Sequence, residues 1–118
     1  MKHLLPILFI LLGSQTIYAQ QDRVNEIEDL KKQLETTTAD TARVRIMCTI
    51  SIRGRAIDLE ESIRYSHEAL ELAQKTNDPI SIARALNAVG QSYTYQGEYS
   101  TAIKYIEKSI ETAIWLWR

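Results

Sequence analysis

The chain reads as all-α, a helical solenoid made of an N-terminal helix and two antiparallel helix pairs. Beyond residue 20, apolar residues recur three and four apart in every segment, and no run alternates apolar with polar as a half-buried strand would. Short punctuation separates these segments at Thr36–Asp40, Gly54, Asp78-Pro79 and Gln96–Glu98. Small residues also recur at one offset: Ser62 with Ala102 and Ala69 with Ser109, 40 residues apart in both cases (102 − 62 and 109 − 69). Small side chains at both members of such a pair suit a close helix crossing, since large ones would hold the backbones apart. Self-similarity at a fixed spacing is the mark of a stacked repeat.

Residues 1–19 stand apart. Lys2 and His3 precede the apolar run Leu4–Leu12, then come Gly13-Ser14 and Ile17-Tyr18-Ala19. A basic start, a short apolar core and a small residue before a cut describe a secretory signal peptide. The run is shorter than the roughly 20 apolar residues of a spanning helix. An uncleaved anchor or a short buried helix is the other reading. Cleavage after Ala19 leaves 118 − 19 = 99 residues beginning with Gln20, so no cysteine at the cut carries a lipid anchor. The expectation is an exported chain, periplasmic or secreted, without membrane contact after cleavage.

Residues 20–38 form an amphipathic helix and loop. Val24, Ile27, Leu30 and Leu34 share a stripe over Gln20–Glu35, and Glu28–Lys32 is a favourable i,i+4 pair. The polar, cap-like run Thr36–Asp40 breaks it. From residue 39 to 118 the repeats follow. A second helix over Thr41–Arg53 buries Val44, Met47, Ile50 and possibly Cys48, and Gly54 stops or bends it. A third starts near Asp58, with Glu61 as its capping-box partner, and presents Leu59, Ile63, Ala69, Leu70 and Ala73. Asp78 then suits an N-cap and Pro79 the first helical position. The fourth helix carries Ile82, Leu86, Val89 and Tyr93; the fifth carries Tyr99, Ala102, Ile103, Ile106, Ile110, Ala113 and Ile114.

Charge and composition remove several functions. The chain has 14 basic and 15 acidic residues; without Lys2 the balance is 13 − 15 = −2. No basic excess drives binding to nucleic acid. Cys48 is the only cysteine, so no internal disulfide forms. No Gly-rich phosphate loop or His-Glu-x-x-His occurs, and beyond residue 19 His67 is the single histidine. Glu60, Glu61, Glu68 and Glu71 are explained by capping and the helix dipole. No catalytic, metal or cofactor site is expected.

The stretch Leu86-x-x-Val89-Gly90-x-x-Tyr93, then Gly97-x-Tyr99-x-x-Ala102-x-x-x-Ile106, resembles the tetratricopeptide repeat, a helix–turn–helix of about 34 residues. The clear unit spans about 80–114, with Ile114 where the motif has proline. Arg43–Lys75, within about 43–76, resembles a degenerate first copy in which Ile50 stands at the Gly90 position and Arg53 at the Tyr93 position. The resemblance implies a non-catalytic module that binds a protein or peptide along the first helix of each pair. It puts Arg84, Asn87 and Gln91 on that wall, with Tyr95 near its end, opposite the less polar Val44, Met47, Cys48 and Ser51. Leu86, Val89, Gly90, Tyr93, Gly97, Tyr99, Ala102 and Ile106 are packing positions. The whole layout is similar to the exported N-terminal sensor region of bacterial signalling proteins that carry such repeats ahead of a histidine kinase or a transcriptional regulator, here truncated.

The end, Ala113-Ile114-Trp115-Leu116-Trp117-Arg118, is apolar and uncapped. Two readings stand: truncation inside a longer array, or a self-associating structural protein that uses Trp115 and Trp117 as a homo-oligomer contact.

Overall fold

The computed structural model describes residues 3–116. Five helices follow one another: α1 (Leu4–Thr36), α2 (Asp40–Gly54), α3 (Leu59–Thr76), α4 (Pro79–Gln96) and α5 (Tyr99–Trp115). The architecture is the expected all-α stack: α1 followed by the pairs α2/α3 and α4/α5.

α1 departs from the sequence reading in one respect. It runs unbroken through Ala19 and Gln20, joining the apolar N-terminal segment to the amphipathic one. Only the second half is held. Ile27 is buried against Ile46 and Ile50, with Leu30 and Leu34 beside them, whereas Leu4–Leu12, Ile17 and Tyr18 all face solvent. The narrow stripe on residues 24–34 explains this division, since only that stretch meets α2. The Glu28–Lys32 pair is not made; Glu28 pairs with Lys31, which also reaches across to Glu61 of α3.

Each helix end has a local cause. At α3 the Asp58 carboxylate accepts the Glu61 amide, but the Glu61 side chain completes no capping box because it is drawn to Lys31. At α4 the Asp78 carboxylate accepts both the Ser81 amide at 3.0 Å and the Ser81 hydroxyl at 2.7 Å. α4 ends on Gly97 at φ +84°, where Glu98 N–H donates to the Tyr93 carbonyl and Gly97 N–H to the Thr94 carbonyl. The cap-like run before α2 supplies no side-chain cap, because Ala39 stands at the N-cap. Instead the Arg43 guanidinium donates to the carbonyls of Leu34 and Thr37, closing the end of α1.

The core lies where α2, α3 and α4 meet: Val44, Met47 and Cys48 from α2, Ala69 and Ala73 from α3, Ala85 and Ala88 from α4. Small residues set the spacing. Ser62 donates to the Ser51 carbonyl, and Ser92 reaches Ser66 at 3.2 Å. A Cβ on Gly90 would stand 2.7 Å from Ile106 Cγ1, which makes α4/α5 the closest crossing. Tyr93 stacks on Tyr105 of α5 at 5.5 Å and meets the edge of His67 of α3 at 5.9 Å.

α5 is the exception to the expected packing. Its backbone approaches α4 alone. Of its apolar positions only Ala102 is buried; Tyr99, Ile103, Ile110 and Ile114 are exposed. Periodicity located this apolar face correctly, but no helix lies against it. Trp115 is 74% exposed, and Trp117 lies outside the described residues.

Candidate functional site

Successive helices run antiparallel, so α2 and α4 lie parallel and side by side, in contact along their length. The α4 surface facing outward from this pair carries Arg84, Asn87, Gln91 and Tyr95. Arg84 and Tyr95 are exposed, and Asn87 and Gln91 are half-buried. From Arg84 to Tyr95 the helix rises about 16 Å, the reach of about five residues of extended chain.

The α2 half of this wall differs from the sequence reading. Val44, Met47, Cys48 and Ser51 are 0%, 5%, 2% and 1% exposed, so they form core and not wall. The cause is a one-residue register difference. The second helices of the two pairs start 99 − 59 = 40 residues apart, but the first helices start 79 − 40 = 39 apart. At offset 39 the small Ser51 matches Gly90, and each is the small residue of α2 or α4 that approaches the following helix, at Ser62 and at Ala102. Ile50 and Arg53 therefore do not stand at the Gly90 and Tyr93 positions; Ser51 and Gly54 do. The same offset sets Arg45 beside Arg84, Ile52 beside Gln91 and Ala56 beside Tyr95.

The surface shape follows this register. At the N-terminal ends of the two helices, Thr41, Ala42 and Arg45 face Asp78, Ile80, Ser81 and Arg84 across a shallow cleft. At the other end, Ile52, Arg55, Ala56 and Tyr95 line a second open cleft, walled by Arg23 and Glu26 of α1. Arg55 organises that end. Its guanidinium donates to Gln91 Oε1 at 2.7 Å and lies 5.3 Å from the centre of the Tyr95 ring. Nothing in the sequence singled out Arg55, which sits one residue past α2; aligning Ser51 with Gly90 would have brought it opposite Tyr95.

Charge on this wall is one-sided. Among the described residues Arg45, Arg55 and Arg84 make no ion pair, whereas Arg53 is held by Glu26 and Arg64 by Glu68. Asp78 is the acid nearest to Arg84. Its carboxyl is held below its ordinary range, chiefly by the Ser81 hydroxyl and amide, with a smaller contribution from the Arg84 charge. Behind the wall, burial pushes the Cys48 thiol up to about 12, so it is no nucleophile. The remaining residues picked from the motif lie elsewhere. Leu86, Val89, Gly90 and Ala102 are buried, Tyr93 and Ile106 half-buried at the α4/α5 crossing, and Gly97 and Tyr99 exposed at the turn. An arrangement of guanidinium forks and amide side chains along a shallow face can hold carboxylates and peptide groups; it has no acid–base pair for proton transfer.

A family model described as Tetratricopeptide repeat matches residues 52–114. No curated protein and no solved structure matches the chain.

Proposed function

Because this chain belongs to the tetratricopeptide repeat family, whose repeats generally serve protein–protein interaction, we propose that the α2/α4 wall binds an extended, carboxylate-bearing segment of a partner protein without catalysis. The observation that carries the reading is the row Arg45, Arg84 and Arg55, three guanidinium groups without carboxylate partners along one face. Arg45 and Arg84 hold one end of the segment, Asn87 and Gln91 the peptide groups at its middle. Arg55, fixed by Gln91 and Tyr95, holds the other end. Fluorescence anisotropy with a labelled library of short peptides, acidic and neutral, tests it. Acidic members bind, and Arg84→Ala with Arg45→Ala weakens them about tenfold or more with helix content unchanged, the cost of truncating charged hydrogen bonds. Equal binding of neutral peptides, or no effect of the two substitutions, sinks the assignment.

The finer reading is that the wall belongs to the exported sensor part of a bacterial signalling protein. It is supported by the N-terminal segment, uncharged from Leu4 through Gln21, whose apolar side chains face solvent and contribute nothing to the core. Mass measurement of the C-terminally tagged chain from a secreting bacterial host checks the export step. Loss of residues 1–19 is expected; an intact chain held in the membrane fraction would replace export by anchoring.

A further inference from the structure

The outer side of α5 carries a stripe that matches itself. Tyr99, Ile103, Ile110 and Ile114 are 64%, 54%, 53% and 49% exposed. At 100° per residue they fall within about 60° of arc, a single apolar seam. On α3 the comparable apolar side is closed by α4, through Ala69 and Ala73 against Ala85 and Ala88; α5 has no such cover.

The spacing along this seam reads the same in both directions: four residues, seven, then four. Two copies of α5 laid antiparallel therefore align every member at once. Tyr99 falls opposite the second copy's Ile114 and Ile103 opposite its Ile110, since 99 + 114 and 103 + 110 are both 213. The charges obey the same register. Lys104, Glu107 and Glu111 line the flank of the seam away from α4, all exposed and none in an ion pair among the described residues. A two-fold axis brings this flank against its own copy. Each Lys104 then lies between Glu107 and Glu111 of the other chain, about 3 Å from either along the helix axis. Opposite charges meet, and like charges do not face.

From the palindromic spacing and this charge match we infer that the outer seam of α5 is a two-fold contact between two copies of the chain. The contact is isologous, closes at two chains and leaves the α2/α4 wall free on each. It uses the seam of Ile103 and Ile110, not Trp115, which lies about 120° round the helix from Ile103.

Register-specific cross-linking of the full chain tests it, in mild non-ionic detergent so that Leu4–Tyr18 is covered. Ile103→Cys and Ile110→Cys are made separately; both sites are exposed, and Cys48 is buried. Under dilute oxidation the mixture of the two variants forms disulfide dimers at least several-fold faster than either alone. In the antiparallel register 103 meets 110, while 103 stands about 10 Å along the axis from its own copy. Equal rates for single variants and mixture, or no dimer at all, overturn the proposal. Charge reversal gives a second measurement. Lys104→Glu weakens dimerisation by about tenfold in sedimentation, since each contact occurs twice, and adding Glu107→Lys and Glu111→Lys restores it. A wild-type chain that stays monomeric at high concentration, or a reversal without rescue, overturns it equally.

Discussion

Gly90 has no side chain because α5 occupies its place. A methyl there would meet Ile106 Cγ1 at 2.7 Å and the Ala102 carbonyl at 3.3 Å. Neither is the far end of a flexible chain. Gly90→Ala gains about 1 kcal/mol of helix propensity and loses about 2–3 kcal/mol to overpacking. The net expectation is a destabilisation of about 1–2 kcal/mol in denaturant unfolding, recovered in part when Ile106→Ala is added. An unchanged midpoint for Gly90→Ala would mean that Ile106 yields freely. Gly90, Leu86 and Ala102 were legible in the sequence because a small/large pattern marks a close crossing without further information. Arg55 was not, since it lies outside any helix and acquires its role only from Gln91 and Tyr95 on another element.

Helix α4 depends on its first turn. Asp78 receives two bonds from Ser81, and those bonds hold its carboxyl below the ordinary 3.8. The unfolded chain protonates this group near 3.8, the folded chain at a lower pH. Between those points the unfolded state binds more protons, so stability present above 3.8 is lost as pH falls through the folded value. Asp78→Asn keeps an acceptor for Ser81 but removes the titration. Its unfolding midpoint should therefore fall less than the wild type's between pH 5 and pH 3, a comparison that urea titrations at the two values make directly. Helix boundaries of this kind were readable because Asp-Pro, Gly97 and the capping residues act locally. The α2 register was not. A fixed offset of 40 suits α3 and α5, but α2 and α4 start 39 apart, and only the contact of Ser51 with Ser62 shows which residue turns inward.

The stack as a body has two kinds of helix. α2 and α4 each touch three others, while α1 and α5 each approach one neighbour's backbone. The sequence shows which faces are apolar, and so the all-α class and the pairing into repeats; it does not show whether a face has a neighbour, because periodicity is the same for a covered and an uncovered seam. That is why the α5 residues Ile103 and Ile110 read as core and stand in solvent. The unequal contacts also shape how order is lost. Opening α5 breaks one interface and opening α1 breaks one, whereas moving α4 breaks three. On warming, the two outer helices fray ahead of the α2–α3–α4 centre, so the binding wall, which lies wholly on α2, α4 and the turn after α2, is the last part of the molecule to melt.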